Sequence, residues 1–330
     1  MKIQLQTYLI YIEKHILNHL STYIPSYKNI AIIYDDGLPS TWIQQVQSQF
    51  SNAVCICIPQ GESSKSLAMY EHILQQLIQF QFTRKDAIFA LGGGVVGDLA
   101  GFVAATYMRG IDFYNIPTTV LSQVDSSVGG KVAVNMPPYK NMVGAFYRPK
   151  AVFIDWNVLT TLSMRQINNG LIEALKMGLI LDAQLFSWFE CDPIPIEKII
   201  PRSIELKKQI VEQDEKEAGL RAILNFGHTI GHAIEEKYPY YHGECVSMGM
   251  LYFIQNSHLK NRVLRIYERL NMPKIPEFSV NEILDGIAHD KKNNNQGISC
   301  ILVKELGTYH IETKTMKDIE IILKGDPYEE

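Results

Sequence analysis

The sequence has few cysteines, no long apolar run and no excess of basic residues. Its five cysteines are odd in number and scattered, which does not fit a disulfide framework and favours a reducing compartment. No uninterrupted apolar run approaches the roughly 18 residues of a membrane-spanning helix, and the N-terminus lacks the apolar core of a signal peptide. A net charge of −4 argues against proteins that coat nucleic acid. We therefore expect a cytoplasmic protein without membrane or nucleic-acid partners.

The 330 residues, 46% of them hydrophobic, predict a folded protein of about two domains. Apolar runs separated by helical patterns are typical of a parallel sheet covered on both faces, and near residue 158 helical patterns take over. We predict an α/β domain with a mostly parallel sheet over residues 1–158 and a mostly α-helical domain over residues 159–330. The predicted strands are 29–34, 53–58, 86–91, 113–116, 151–155 and 298–303, and the predicted helices are 41–50, 66–80, 165–181, 201–217, 222–236 and 246–258.

A glycine-rich loop lies between a predicted strand and a predicted helix. Gly92, Gly94 and Gly97 satisfy the pattern G-x-G-x-x-G, which lets the backbone approach a pyrophosphate at a helix N-terminus. A tight turn with close helix–sheet packing is the alternative. The acid expected about 20 residues further on is missing from the end of the next strand. Asp35 and Asp36 end the first clear strand, and residues 61–65, which include Glu62, follow the second. Either group is therefore a candidate for contacts to a ribose.

A second motif contains histidines at helical spacing. His228 and His232 share one helix face, as metal ligands do, and His242 follows in a predicted loop. Thr229 stands where a zinc protease of the H-E-x-x-H type has its general base, so that class is excluded. A catalytic zinc with three protein ligands would draw on these three histidines and Glu173, and the spacing does not decide which three bind. A pair of hydrogen-bonded core histidines is the alternative.

Basic residues accumulate around a stretch punctuated by glycine and proline, residues 117–149. Each base taken alone is most simply a solvated surface charge. Their proximity to glycine turns and to the histidine helix favours a pocket for a small polyanion. The residues are Arg109, Lys131, Lys140, Lys176, Lys207, Arg221, Lys291 and Lys292.

Taken together, these motifs resemble the 3-dehydroquinate synthase family of sugar-phosphate cyclases. The resemblance runs in order over nearly the whole chain, and its main departure is Val132, where the family often has threonine. It implies a Rossmann-like NAD-binding domain, a helical metal- and substrate-binding domain, an active site between them, and a homodimer in which Arg109 reaches the neighbouring subunit's site. The matching blocks are 61–65, 92–110, 117–119, 124–131, 170–176, 214–215, 219–221, 224–235, 242–244 and 290–292.

The resemblance also implies the role of individual residues. A divalent metal, Zn²⁺ or Co²⁺, is held by Glu173, His228 and His242. The residues with catalytic roles are His232, Lys131, Lys176, Arg221 and Asn225. The residues that contact NAD are Asp35, Glu62, Lys65, Gly93, Gly94, Val95, Asp98, Thr118, Thr119, Lys131, Lys140 and Thr161. The residues that contact substrate are Arg109, Asp125, Lys131, Lys140, Asn141, Lys176, Lys207, Arg221, Asn225 and Lys291.

The implied reaction belongs to the shikimate pathway that leads to aromatic amino acids. The substrate is DAHP, a seven-carbon keto-acid phosphate, and the products are 3-dehydroquinate and phosphate. The steps are transient oxidation by NAD, β-elimination of phosphate, re-reduction, ring opening and aldol closure. The alternatives are another sugar-phosphate cyclase, a metal-dependent polyol dehydrogenase and a non-catalytic NAD-binding regulator.

Overall fold

The computed structural model describes residues 1–137, 139–215, 219–290 and 297–328. The chain divides into two compact units, Met1–Ser163 with Lys207–Glu212 and Met164–Leu206 with Gln213–Glu330. Among the described residues, none of the helices has both the length and the apolar character needed to cross a bilayer. The predicted assignment of NAD to residues 1–158 and of metal and substrate to residues 159–330 stays a prediction.

The first unit is built around a seven-stranded sheet in the order β1-β2-β9-β6-β5-β3-β4. Only β1 and β2 are antiparallel, and every other pair in this sheet is parallel. A separate antiparallel hairpin is formed by β7 and β8. The strands are β1 (Lys2–Gln4), β2 (Leu9–Ile12), β3 (Ile30–Asp35), β4 (Ala53–Ile58), β5 (Ala87–Gly92), β6 (Asp112–Pro117), β7 (Lys131–Met136), β8 (Tyr139–Phe146) and β9 (Ala151–Ile154), and the helices are α1 (Ser40–Gln47), α2 (Leu67–Gln79) and α3 (Gly94–Thr106).

The predicted α/β class and parallel sheet are confirmed, and the five strands predicted here lie within a residue or so of β3, β4, β5, β6 and β9. The short edge strands β1 and β2 and the β7–β8 hairpin were not predicted. The hairpin lies in the stretch of residues 117–149, where glycine and proline obscure the alternation of buried Val132 and Val134 with more exposed neighbours.

The central strand and helix of this unit are buried because the sheet is covered on both faces. All of β5 is buried, and α3 is buried along most of its length. Gly101 lets α3 lie close to the hairpin, since a Cβ there would sit 2.4 Å from a methyl group of Val132. The glycines of α3 therefore serve packing as well as the loop that precedes them.

The strand order creates a topological switch point between β3 and β5. The chain passes from β3 to β4 on one side and then returns to β5 on the other side. In open α/β sheets, ligands bind outside the carboxyl ends of the strands at such a point. Asp35 ends β3 and Gly92 ends β5. The glycine loop thus lies at the switch point, although it connects β5 to α3 and two strand–helix pairs, β3–α1 and β4–α2, precede it.

The second unit is mostly helical, as predicted, with one antiparallel hairpin, β10–β11. Its elements are α4 (Met164–Leu181), α5 (Ala183–Trp188), most of α6 (Ile196–Gln213), α7 (His228–Lys237), α8 (His242–Leu251), α9 (Ser257–Arg269), α10 (Val280–Asp290), β10 (Ile298–Leu302), β11 (His310–Lys314) and α11 (Met316–Lys324).

Three predicted helices of this unit have different limits. The prediction of one helix over 222–236 is wrong, because a 3₁₀ turn (Leu220–Asn225) is separated from α7 by Gly227, which has a left-handed φ of 80°. The helix predicted over 246–258 begins earlier, at His242, and stops at Leu251. Ile254 then forms an isolated bridge with Val303 before α9 starts. Helix α6 begins earlier than predicted, at Ile196.

Candidate active site

In the first unit, the glycine loop brings three main-chain segments together. The Thr118 N–H donates to the Gly92 carbonyl at 2.9 Å. A Cβ on Gly93 would lie 3.3 Å from the Thr119 methyl carbon, and one on Gly94 would lie 3.2 Å from Ser126 Oγ. Since α3 begins at Gly94, the free N–H groups of its first turn, which includes Val95, lie at this loop. The loop has the close approach and helix N-terminus that suit a pyrophosphate.

A buried lysine joins two other residues that the resemblance assigns to the site. The Lys65 side chain is 6% exposed, and its ammonium donates to the Asp98 carboxylate and to the Asn141 side-chain oxygen. Burial raises the pKa of Asp98, and the adjacent ammonium of Lys65 opposes this shift. The cluster links α3, the loop before α2 and strand β8.

Asn135 is a residue that the sequence reasoning missed. Its side-chain amide donates to Glu62 at 2.7 Å, its side-chain oxygen accepts from the Asn141 N–H at 2.8 Å, and its own N–H donates to the Lys65 carbonyl at 2.8 Å. These bonds tie the β7–β8 hairpin to the loop that carries Glu62 and Lys65. No pattern in the sequence distinguishes Asn135 from other asparagines, because its partners come from distant segments.

The remaining predicted residues of this unit lie in several places. Asp125, in a π-helical turn (Ser122–Ser126), accepts a hydrogen bond from Lys207 at 2.6 Å. Thr161 accepts one from the Trp42 indole at 3.1 Å. Arg109 precedes β6 and therefore lies at the amino edge of the sheet, opposite the glycine loop. Lys131 and Lys140 occupy exposed positions of the hairpin, and Lys291 lies outside the described residues.

In the second unit, three helices bring a carboxylate and two imidazoles together. Glu173 lies on α4, and His228 and His242 begin α7 and α8. Glu173 Oε1 lies 3.7 Å from His228 Nε2 and 3.6 Å from His242 Nε2, and the three ligand atoms lie within 4.8 Å of one another. Two ligands of a tetrahedral zinc with bonds of about 2.0–2.1 Å are about 3.4 Å apart. The cluster therefore has close to the dimensions of a divalent metal site.

The polar atoms of this cluster also fit a metal. Glu173 Oε1 is buried and has no hydrogen-bond partner among the described residues. His228 Nδ1 lies 3.1 Å from the Phe226 carbonyl oxygen, and His242 Nδ1 lies 2.9 Å from Glu235 Oε2. Because each Nδ1–H has an acceptor, each Nε2 is directed to Glu173. Two neutral nitrogens and a carboxylate oxygen are a donor set suited to Zn²⁺ or Co²⁺.

The charges in this cluster are strongly coupled. Burial raises the pKa of Glu173, but the Lys176 ammonium and the two imidazoles outweigh it and hold that pKa well below its ordinary value. Burial and Lys176 also hold the pKa of His228 well below its usual range. Burial lowers the pKa of His242, but Glu173 and Glu235 outweigh this effect and raise it to about 10.

Of the other predicted residues of the second unit, two lie beside this cluster and two lie on the turn that precedes α7 in the chain. The His232 ring centroid lies 5.0 Å from that of His228 and 5.9 Å from that of His242. Lys176 is 2% exposed and is paired with Glu173. Arg221 and Asn225 lie on the 3₁₀ turn before α7, and the buried Arg221 guanidinium donates to the Glu215 carbonyl at 3.1 Å. The structure thus gathers Glu173, Lys176, His228, His232 and His242.

Replacing Gly227 with alanine is expected to destabilise this unit by about 2–4 kcal/mol. Alanine does not suit the left-handed backbone at this position, and its Cβ would overlap atoms of α8. A Cβ there would lie 2.5 Å from Met250 Cγ and 2.7 Å from the Val246 carbonyl oxygen. The matched control is Gly219→Ala, because an added Cβ meets no atom of the described chain within 4 Å. Urea unfolding of both variants measures the difference, and equal free energies of unfolding would contradict the expectation.

Comparison with solved structures identifies the structural class. A structure of 2-deoxy-scyllo-inosose synthase in complex with carbaglucose-6-phosphate, NAD⁺ and Co²⁺ is 27% identical in sequence and has a TM-score of 0.87. The match covers 98% of this chain and 99% of that one. This chain therefore has the same fold as that synthase.

Comparison of sequences identifies the family within that class. The family models for the N-terminal and C-terminal parts of 3-dehydroquinate synthase match residues 55–169 and 170–293. The 3-dehydroquinate synthase of Caldanaerobacter subterraneus subsp. tengcongensis is 42% identical, with 95% of this chain and 92% of the relative covered. That of Thermoanaerobacter pseudethanolicus is 44% identical, with 81% of both chains covered. The chain belongs to the 3-dehydroquinate synthase family, which confirms the resemblance.

Proposed function

We propose that this chain converts DAHP to 3-dehydroquinate and phosphate. The observation that carries the proposal is the similarity, over 81% and 95% of the chain, to two relatives named 3-dehydroquinate synthase. The buried cluster of Glu173, His228 and His242 supports it, because a metal-dependent reaction needs such a donor set. The enzyme is accordingly a lyase that eliminates phosphate from its substrate.

The cofactors of this proposal are NAD and Zn²⁺ or Co²⁺. Glu173, His228 and His242 would hold the metal, and the glycine loop with Lys65 and Asp98 would hold NAD. When bound, NAD accepts and returns a hydride, and the metal acts as a Lewis acid on substrate hydroxyl groups. The NAD⁺ and Co²⁺ of the related 2-deoxy-scyllo-inosose synthase structure support this choice.

The residues around the metal ligands would supply the remaining chemistry. His232 lies beside both ligand histidines, and an imidazole can accept or return the proton of a substrate hydroxyl. The buried cations Lys176 and Arg221 would offset the carboxylate and phosphate of the substrate. Rigid placement of these groups favours one substrate conformer, and this positioning is itself a large part of catalysis.

The other predicted residues enter the proposal with the roles that the resemblance implies. Lys131, Asp125, Lys207 and Asn225 would contact the substrate. We further propose a cytoplasmic homodimer in which Arg109 reaches the neighbouring subunit's site. Size-exclusion chromatography with light scattering tests the dimer, and a monomer at working concentration would contradict it.

The test of the activity is phosphate release from DAHP in the presence of catalytic NAD and Zn²⁺ or Co²⁺. We expect many phosphates released per NAD, because the cofactor is regenerated within each turnover. Accumulation of stoichiometric NADH would instead support a polyol dehydrogenase. Phosphate release from sedoheptulose 7-phosphate or glucose 6-phosphate, but not from DAHP, would support another sugar-phosphate cyclase. Absence of both phosphate and NADH would support a non-catalytic role.

Replacing Asn135 with alanine is expected to weaken NAD binding about 10-fold while kcat changes little. The loss of hydrogen bonds to Glu62 and Asn141, one of them to a charged group, corresponds to about 1.5 kcal/mol. NAD titration measured by tryptophan fluorescence and the KM for NAD both check this. An unchanged NAD affinity, or a loss confined to kcat, would show that the hairpin contact does not organise the cofactor loop.

A further inference from the structure

The two nitrogens of His242 face two carboxylates at clearly different distances. On one side, Nε2 lies 3.6 Å from Glu173 Oε1. On the other side, Nδ1 lies 2.9 Å from Glu235 Oε2. Glu235 is not among the residues that sequence reasoning placed in the site. Its distance to His242 raises the question of whether it binds a metal itself or acts through the histidine.

The distances decide between these roles. A charge-assisted hydrogen bond from nitrogen to oxygen spans about 2.7–2.9 Å, whereas two ligands of one zinc lie about 3.4 Å apart. The contact of His242 with Glu173 is close to the ligand spacing, and the contact with Glu235 is that of a hydrogen bond. His232, Glu235 and His242 also have donor atoms near one another. In that group, however, the Nδ1–H of His242 donates a hydrogen bond to Glu235, so this nitrogen does not serve as a metal ligand.

The sequence and the packing together place Glu235 at this position. His228, His232 and Glu235 follow one another at i, i+4 and i+7 on α7, so all three lie on one helix face. Gly231 lets α8 come close to this helix, since a Cβ there would lie 2.9 Å from the Cys245 carbonyl oxygen. This close approach brings His242, the first residue of α8, within reach of Glu235.

We infer that Glu235 is a positioning residue for the metal centre, and this inference rests on the proposed metal site. Its carboxylate accepts the Nδ1–H of His242 and thereby fixes the tautomer and the ring orientation that direct Nε2 to the metal. A carboxylate partner also raises the basicity of the ligand nitrogen. Glu235 acts through His242 and does not contact the metal.

The test measures Co²⁺ and Zn²⁺ affinity by competition with a chelating dye, together with the visible absorption of bound Co²⁺. Loss of such a partner typically lowers metal affinity about 10–100-fold, and we expect this for Glu235→Ala. Glu235→Gln keeps an oxygen acceptor and should recover part of that loss. Glu236→Gln, at the exposed neighbouring position, removes the same charge without facing His242 and should bind metal as the wild type does.

The outcomes separate this inference from the proposed function. If the wild type binds one metal per chain and both Glu235 variants bind it equally well, the positioning role is overturned and the metal site stands. If the wild type binds two ions and Glu235→Ala binds one, Glu235 is itself a ligand and the inference is also wrong. If the wild type binds no metal ion, the proposed metal site itself is wrong. Should Glu235→Ala not fold, Glu235→Leu, which also lacks an acceptor, takes its place, and wild-type affinity with an unchanged Co²⁺ spectrum in that variant overturns the inference.

Discussion

Replacing His228 with alanine is expected to remove the bound metal and the phosphate-releasing activity together, with little loss of fold. Its Nε2 is one of three donor atoms within 4.8 Å of one another, and the other two are insufficient for tight binding. Loss of a residue that merely orients a ligand costs about 10–100-fold in affinity, so loss of a ligand should cost more than about 100-fold. Metal content after dialysis and the phosphate assay measure both effects.

The control for this variant is His258→Ala, at an exposed position of α9. It should retain the metal, the activity and the circular dichroism spectrum of the wild type. A His228→Ala protein that keeps stoichiometric zinc and full activity would show that the ligand set is wrong. A protein that loses its helical signal as well would show that His228 is chiefly a core residue.

Replacing Lys176 with methionine is expected to lower stability and raise metal affinity at the same time. Lys176 and Glu173 are each 2% exposed, so the variant leaves a buried carboxylate without its ammonium partner. Breaking such a pair costs about 3–5 kcal/mol. Because the raised pKa of His242 keeps it cationic at neutral pH without metal, we expect a value near the lower end, about 3 kcal/mol. Urea unfolding of the metal-free protein measures it.

Added metal should reverse part of this loss. A divalent cation supplies the missing positive charge beside Glu173 and no longer meets repulsion from the ammonium. Saturation at 100 times the dissociation constant adds about 2.7 kcal/mol to the free energy of unfolding. Activity should still fall, because the proposed contact to substrate is gone. A decrease in metal affinity would contradict this account of the charges.

A matched control for the Lys176 variant is Lys208→Met on α6. Its side chain is 30% exposed, and its nitrogen lies 3.8 Å from Glu212. A surface pair of this kind contributes less than about 1 kcal/mol. The free energy of unfolding should therefore change little, and metal affinity should be unaffected. A loss as large as that of Lys176→Met would show that removal of lysine, and not burial, governs the effect.

Much of the first unit could be predicted from the sequence because its signals are local. The apolar runs that became β3, β4 and β5 and the glycines of the loop between β5 and α3 are read from adjacent residues. The position of Asp35 at the carboxyl end of β3 follows in the same way. The β7–β8 hairpin and Asn135 were missed, because pairing and hydrogen bonds to distant loops leave no local pattern.

In the second unit, local patterns predicted helices but misjudged where they begin and end. Residues 222–236 look continuous, yet Gly227 separates two elements and makes His228 the first residue of a helix. The backbone at Gly227 is decided by contacts with α8, which local propensity does not contain. The spacing of His228, His232 and Glu235 was present in the sequence, but without His242 beside it the glutamate had no apparent role.

The sequence by itself determined the α/β and helical pattern, the glycine loop and a set of four candidate metal ligands. The family resemblance, and not the spacing, selected three of those four. Only the tertiary structure decided that Glu173, His228 and His242 direct donor atoms at one another, and that Glu235 lies behind His242. The physical reason is that these distances depend on how α4, α7 and α8 pack, and packing is set by contacts between residues far apart in the chain.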